Sequence, residues 1–275
     1  MKARFAYQTN CWGPLGGNAV GVTSISELTY RTFADMGLAI AEIGEAGYQG
    51  VELFDGNLLD YTHQRDVLRA LLAKAGVRLV AAYSGANFIF PDVLPQELAR
   101  IARVAEAAAG FGAEHLVVGG GAKRAEGLHS DDHARLAEGL EKIVALAKER
   151  GLRAHYHPHL STIVEGPEEV RKILGMTSID FCPDTAHLAA AGGDPAEMIR
   201  EHRARISYVH LKGWRKAPFA FTPLDEGDLD ISEIMRVLNE TKFNGWITAE
   251  LDSWPDPREG AVRSLAFLKN AEAAA

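Results

Sequence analysis

The chain has 275 residues, of which 47% are hydrophobic and 24% charged, a balance that excludes a disordered or fibrous protein. Its formal net charge of −8 argues against nucleic acid as a partner, because that binding depends on clustered Lys and Arg. No apolar run approaches the roughly 20 residues that cross a bilayer, and no secretory leader pattern opens the chain. We therefore expect no membrane partner and a cytoplasmic location.

Strand-like apolar runs alternate with amphipathic helical runs along the whole chain. Segments such as 98–109, 134–150 and 231–239 carry apolar residues at the three- and four-residue spacing of a helix. Alternation of this kind predicts right-handed crossovers and a parallel sheet. The eight predicted strands are residues 5–8, 50–53, 78–83, 115–118, 153–156, 179–182, 206–211 and 246–249.

Eight strand-helix units with no break in composition favour a closed barrel over an open doubly wound sheet. We expect an α/β fold, a (β/α)8 TIM barrel, formed by a single domain that spans residues 1–275. Glycines that precede predicted strands, as at Gly47, Gly76 and Gly151, are typical of helix C-caps.

Two connections are long enough to be lids or specificity elements rather than plain surface loops. Residues 10–25 follow the first predicted strand, and residues 212–230 follow the seventh. Both carry aromatic side chains, among them Trp12 and Trp214, which are costly to leave exposed. Trp12 is accordingly a candidate for substrate binding.

The two cysteines, Cys11 and Cys182, lack the spacing of a disulfide framework or a thiolate metal site.

Side chains that can bind a metal stand at the ends of the last four predicted strands. Because the carboxyl ends of barrel strands meet at one rim, we expect these groups to lie close together, where barrel enzymes place their chemistry. Imidazoles and carboxylates in such a cluster can hold a divalent cation that polarises a carbonyl or hydroxyl. The residues concerned are His155, His157 and His159; Asp184 and His187; His210 and Lys212; and Glu250.

Each of these residues also has a plain structural interpretation. Asp184 could be only a helix N-cap, His210 a satisfied core residue, and Glu250 the partner of a Lys or Arg on a helix. The recurrence of ligand-type residues at successive strand ends favours the metal. A carboxylate at the end of a buried strand also needs a compensating cation.

Mixed His and carboxylate ligation favours Mn²⁺, Co²⁺, Fe²⁺ or Zn²⁺ over Mg²⁺, which prefers oxygen ligands. Of the three histidines after the fifth strand we expect one to bind the metal, while the others, His155 among them, bond substrate hydroxyls or orient the ligand. Glu52 is a further carboxylate at the rim and a candidate for substrate contact. His63, His129 and His133 are interpreted as solvated. The run 119–121 lacks a dinucleotide-binding pattern, so no other cofactor is implied.

The motifs around Asp184, His210 and Glu250 resemble the xylose-isomerase-like TIM-barrel superfamily of sugar phosphate isomerases and epimerases. The matching stretches are Asp184-Thr185-Ala186-His187, Val209-His210-Leu211-Lys212, Ile247-Thr248-Ala249-Glu250 and Gly227-Asp228-Leu229-Asp230-Ile231. The resemblance implies one divalent metal held at the ends of strands five to eight. Its ligands here would be His157, Asp184, His210 and Glu250.

His157 stands where the epimerases carry a glutamate. The stretch Tyr156-His157-Pro158-His159-Leu160-Ser161-Thr162 instead resembles the His-rich stretch of inosose dehydratases, the keto-inositol lyases of the same superfamily. The resemblance implies that epimerases use two metal-bound carboxylates as bases on opposite substrate faces. Because His157 stands where the epimerases have the first of these two carboxylates, a lyase or a modified isomerase is favoured.

These observations predict a metal-dependent isomerase, epimerase or lyase that removes a proton next to the carbonyl of a small sugar or keto-polyol. Glu250 is the predicted general base. His187 and His159 are candidates for the acid or for contacts with substrate hydroxyls, and Lys212 or Arg215 could neutralise developing charge or a substrate anion. Return of the proton gives an isomer or epimer, whereas loss of a neighbouring hydroxyl gives dehydration.

Two other functions are compatible with such a barrel. One is a metal-dependent endonuclease acting at abasic DNA, which usually needs more ligands and a basic face. The other is a sugar-binding barrel without turnover. Barrels of this size often form a homo-oligomer, an outcome that the sequence leaves open.

Overall fold

The computed structural model describes residues 4–16 and 29–274, so residues 17–25 of the first predicted long connection lie outside the described part. The strands are β1 (Arg4–Gln8), β2 (Leu15–Gly16), β3 (Arg31–Thr32), β4 (Gly50–Phe54), β5 (Arg78–Ala86), β6 (His115–Gly120), β7 (Arg153–Tyr156), β8 (Asp180–Phe181), β9 (Tyr208–Leu211), β10 (Gly213–Arg215), β11 (Ala220–Thr222) and β12 (Trp246–Ala249). The helices are α1 (Met36–Ala46), α2 (Asp55–Asp60), α3 (Arg65–Ala75), α4 (Leu94–Gly110), α5 (Asp132–Glu149), α6 (Pro167–Met176), α7 (Thr185–Ala190), α8 (Pro195–His202), α9 (Ile231–Glu240) and α10 (Pro257–Ala274).

Eight of these strands form one parallel sheet in the order β8-β7-β6-β5-β4-β1-β12-β9. The two end strands of this order approach each other, because Asp184 and His210 form an isolated parallel bridge. The His210 backbone N–H also donates to the Pro183 carbonyl at 3.0 Å. The sheet is therefore a nearly closed cylinder with helices between its strands, and the predicted (β/α)8 TIM barrel is confirmed.

Local sequence sets where the helices begin and end. The Asp35 side chain accepts hydrogen bonds from the first backbone N–H groups of α1, the usual role of an N-cap aspartate. Gly47 and Gly76 then end α1 and α3 with φ values of 100° and 68°, in the left-handed region that glycine adopts without strain. The predicted glycine caps at these two positions are confirmed. Both cysteines, Cys11 and Cys182, are buried free thiols.

The structure corrects two of the predictions made from the sequence. His133 is buried rather than solvated, with its ring Nδ1 lying 3.2 Å from Lys172 Nζ. The predicted sixth strand shrinks to the two residues of β8. The predicted long connection at 212–230 contains an antiparallel hairpin formed by β10 and β11. Among the described residues, no helix is long and apolar enough to cross a membrane.

Candidate metal centre

The four side chains that the resemblance assigns to a metal meet at the carboxyl-terminal rim of the barrel. His157 follows β7, Asp184 precedes α7, His210 lies in β9 and Glu250 follows β12. One ligand atom from each lies within 4.8 Å of those of the other three, and all four side chains are buried. We refer to His157, Asp184, His210 and Glu250 as the tetrad.

The Asp184 carboxylate divides its two oxygens between two tasks. Oδ1 accepts hydrogen bonds from the backbone N–H groups of Ala186 at 2.8 Å and His187 at 2.9 Å, so it caps α7. Oδ2 has no hydrogen-bond partner and lies 3.4 Å from His157 Nε2. Burial alone would raise the pKa of Asp184, but His187 and Lys212 hold it well below its usual range. The capping and metal interpretations are therefore compatible.

His210 is oriented by a buried carboxylate behind it. Its Nε2 lies 3.1 Å from Glu52 Oε2, while Glu52 Oε1 accepts a hydrogen bond from Gln8 Nε2 at 2.9 Å. A carboxylate that bonds one ring nitrogen leaves the other free for a metal. Burial alone would lower the pKa of His210, but Glu52 and Glu250 raise it to about 10. An environment that holds a proton this tightly also attracts a metal cation.

Glu250 likewise presents only one free oxygen. Its Oε1 accepts hydrogen bonds from Lys212 Nζ at 2.8 Å and Asn10 Nδ2 at 3.2 Å. Its Oε2 lies 2.6 Å from His210 Nδ1, yet these two atoms lack hydrogen-bond geometry. Burial alone would raise the pKa of Glu250, but Lys212 and His210 hold it well below its usual range. Glu250 is therefore a carboxylate with one oxygen directed at the tetrad.

The donor atoms of the tetrad fit a divalent cation. Both ring nitrogens of His157, Asp184 Oδ2, His210 Nδ1 and Glu250 Oε2 are buried without a hydrogen-bond partner. Buried polar atoms without partners are rare and destabilising, so such a group needs an explanation. Protein ligands lie about 2.0–2.2 Å from a bound cation, which places atoms of one shell up to about 4.4 Å apart. One ligand atom from each of the four side chains lies within 4.8 Å of the others, which is close to this limit.

A cavity of about 600 Å³ opens beside the tetrad, with His157 and Glu250 among its lining residues. Part of its lining is aromatic: the Tyr83 ring packs edge-on against His157, with ring centroids 5.3 Å apart, and Tyr30 packs on Tyr83 at 5.2 Å. The polar part of its lining includes His159, Ser161, Thr162 and Asp252. A cavity with apolar and polar walls beside a cation site suits a small molecule that carries both C–H and hydroxyl groups.

Asp252 and Asn10 were not identified from the sequence. Asp252 Oδ1 accepts hydrogen bonds from Lys212 Nζ at 2.7 Å and from Asn10 Nδ2 at 3.0 Å. Burial raises the pKa of Asp252, and Lys212 opposes that rise. The available signal was a second carboxylate two residues beyond Glu250, whereas nothing local to Asn10 indicates a contact across the barrel.

The other histidines predicted for the site lie at different depths. His159 lines the cavity, and the ring of the buried His187 lies beside it, tilted by 42° with centroids 3.8 Å apart. Burial lowers the pKa of both rings, which favours neutral imidazoles. His155 lies deeper in the barrel, fully buried, with its Nε2 2.8 Å from His115 Nδ1. That position suits an orienting role better than contact with substrate.

Three further candidates are held by other side chains. Glu52 is fully buried behind His210, so it also suits an orienting role. Trp12 Nε1 donates to Glu42 at 2.6 Å, and Arg215 Nη2 donates to Glu226 at 3.3 Å. Neither Trp12 nor Arg215 is among the described residues that line the cavity. Their substrate-binding roles stay predictions.

Comparison with known proteins gives the class. A model of the xylose isomerase-like TIM barrel family matches residues 40–271, so the chain belongs to that family. An inosose dehydratase of Clostridium perfringens (strain 13 / Type A) is 28% identical, and the match covers 84% of this chain and 88% of that protein.

Solved structures share the fold at lower identity. A 3-keto-D-glucoside 4-epimerase of E. coli, solved in apo form, aligns with a TM-score of 0.73 at 17% identity and covers 98% of this chain and 100% of its own. A xylose isomerase-like TIM barrel protein of Mycobacterium smegmatis, solved in complex with magnesium, aligns with a TM-score of 0.74 at 15% identity and covers 99% of this chain and 98% of its own.

Proposed function

We propose that this protein is a divalent-metal-dependent lyase that removes the proton next to the carbonyl of a small keto-polyol and then expels a neighbouring hydroxyl as water. The observation that carries the proposal is the set of unpartnered donor atoms that the tetrad directs at one point. His157 in place of a second carboxylate supports dehydration over two-base epimerisation. The similarity to an inosose dehydratase over most of the chain supports a keto-inositol as the substrate.

The tetrad would hold the cation, which when bound supplies Lewis-acid polarisation of the substrate carbonyl. With two imidazole nitrogens among its donors the tetrad favours Mn²⁺, Co²⁺, Fe²⁺ or Zn²⁺. Magnesium belongs in any trial, because a protein of the same fold was solved with it.

The remaining residues of the site bind and orient the substrate. His159, which lines the cavity, and His187 beside it would donate or accept hydrogen bonds with substrate hydroxyls. Lys212 is fully buried, and burial alone would lower its pKa, but Asp252 and Glu250 raise it well above its usual range. Its fixed positive charge would stabilise the negative charge that develops on the substrate.

The proposal is tested with purified protein that is stripped of metal and reloaded with one cation at a time. Each form is incubated in heavy water with a panel of ketoses and keto-inositols, and the products are analysed by mass spectrometry and NMR. We expect loss of one water from a keto-inositol, dependent on the added metal. Deuterium uptake with an epimeric product would instead identify an epimerase. No reaction by any metal-loaded form would contradict the enzymatic function and favour a non-catalytic sugar-binding barrel.

A further inference from the structure

We propose that Asp252, rather than Glu250, is the base that takes the proton from substrate carbon. This inference rests on the proposed function and assigns one step of it. The sequence assigns this proton transfer to Glu250, and the contacts around the tetrad point to its neighbour instead.

Glu250 has no oxygen left for the substrate. Oε1 already accepts hydrogen bonds from the Lys212 ammonium and the Asn10 amide, and Oε2 lies 2.6 Å from His210 Nδ1, inside the tetrad. A metal-bound carboxylate can still act as a base through its second oxygen, but in Glu250 that oxygen, Oε1, already accepts two hydrogen bonds. Glu250 therefore serves as a ligand, and a second group has to accept the proton.

Asp252 has the exposure and the free oxygen that Glu250 lacks. Both side chains line the cavity, but that of Asp252 is 29% exposed and that of Glu250 only 9%. The bonds from Lys212 and Asn10 both reach Oδ1, and none of the described residues donates to Oδ2. Oδ2 is thus the one carboxylate oxygen of this pair that a substrate in the cavity can reach.

The two donors also fix where Asp252 stands relative to the tetrad. Lys212 Nζ bonds Asp252 Oδ1 at 2.7 Å and Glu250 Oε1 at 2.8 Å, and Asn10 Nδ2 bonds the same two oxygens. Two shared donors hold the two carboxylates side by side, so Asp252 borders the part of the cavity in which the proposed function places the substrate carbonyl. Positioning of this kind is what an efficient proton transfer requires.

The step balances without any further reactant. Oδ2 of Asp252 forms a bond to the proton as the C–H bond breaks, the C–H pair becomes a carbon–carbon π bond, and the carbonyl π pair moves onto its oxygen. That oxygen then re-forms the carbonyl, the carbon–carbon π bond shifts by one position, and the C–O bond to the leaving hydroxyl breaks with its pair on oxygen. The leaving oxygen takes the proton from Asp252, which gives water and restores the carboxylate.

The experiment follows the loss of deuterium from a keto-inositol labelled next to its carbonyl, with metal content and substrate affinity measured on the same samples. We expect Asp252→Asn to keep a full complement of metal and to bind the keto-inositol within a few-fold of wild type. Deuterium loss should fall by about 10²–10⁴-fold, the usual share of a general base. Asp92→Asn, which neutralises an exposed carboxylate outside the site, is the matched control and should lose deuterium at the wild-type rate.

Deuterium loss by Asp252→Asn within about tenfold of wild type, or its disappearance together with the metal, would overturn this assignment. If Asp252→Asn fails to fold, Asp252→Ala with added formate replaces it: a saturable return of deuterium loss supports the assignment, and its absence overturns it. Lack of reaction by metal-loaded wild-type protein with every labelled ketone would overturn the proposed function as well.

Discussion

Two buried polar clusters lie at strand ends of the same barrel and differ in whether their polar atoms have hydrogen-bond partners within the protein. Asp55 follows β4 directly; its Oδ1 accepts from the backbone N–H groups of Tyr30 and Gly56, and its Oδ2 accepts from Ser84 Oγ at 2.6 Å and Arg100 Nη1 at 2.7 Å. Both Asp55 oxygens thus have partners within the protein. The tetrad is equally buried, but each of its members has at least one nitrogen or oxygen atom without a hydrogen-bond partner.

The difference teaches that position at the rim does not by itself identify a binding site. A carboxylate whose two oxygens both accept hydrogen bonds within the protein holds the fold together and has no free oxygen to offer a cation. A cluster whose free atoms point at one another has a place for a cation. The following changes test this contrast, from the largest expected effect to the smallest.

Asp55→Ala should destabilise the metal-free protein by about 3–5 kcal/mol, because it leaves the Arg100 guanidinium buried without its carboxylate. The free energy of unfolding in urea measures the effect. Asp60→Ala removes an exposed partner of Arg31 and should cost only about 0–1 kcal/mol. Equal costs for the two variants would show that the Asp55 network is not structural.

Asp184→Asn should weaken metal binding at least about 100-fold, since it removes an anionic donor while an amide oxygen can still cap α7. Metal content after dialysis and titration with Mn²⁺ measure this effect. Asp194→Asn is the matched control, because Asp194 caps α8 in the same way, accepting from Ala196 N at 2.8 Å and Glu197 N at 3.2 Å. Full metal retention by Asp184→Asn would remove that residue from the ligand set.

Glu52→Gln should weaken metal binding by about 10–100-fold, because the neutral amide no longer orients and polarises His210. Glu97→Gln alters a buried glutamate elsewhere, which bonds the backbone and side chain of Asn87, and should leave metal affinity unchanged. An unchanged affinity in Glu52→Gln would mean that this carboxylate only fills space.

The His115–His155 pair contains two unpartnered nitrogens but no carboxylate, so we expect acid sensitivity there rather than a metal. Burial lowers the pKa of His115 to about 4. His115 in the unfolded chain therefore binds a proton near pH 6.5, whereas His115 in the folded chain stays neutral. The free energy of unfolding falls as the pH drops from about 6.5 toward 4. Between pH 7 and 5 the wild-type protein should lose about 1–2 kcal/mol more than His115→Gln. If urea unfolding shows that wild type and His115→Gln lose the same free energy of unfolding between these two pH values, this prediction is contradicted.

The sequence was sufficient to predict the barrel and the meeting of the tetrad, because parallel strands bring their carboxyl ends to one rim. The sequence could not show how deep each of these side chains lies in the barrel. His155 and His157 share a strand face, yet His155 lies lower in the barrel beside His115, and period-two alternation does not distinguish the two levels. Asn10 was missed because its partner Glu250 is 240 positions away, a contact that exists only after the barrel has closed.

In the part of the chain that the structure describes, the two edges of the barrel sheet join through a short seam that includes the bridge between Asp184 and His210. Both of these residues belong to the tetrad, so on the proposed site a cation would cross-link the first and last strands of the sheet order. A ligand bound only by the folded state stabilises it by about 2.7 kcal/mol at 100 times its Kd. Cellular metal supply would then govern resistance to proteolysis as well as turnover, and starvation for the metal would shorten the lifetime of the protein.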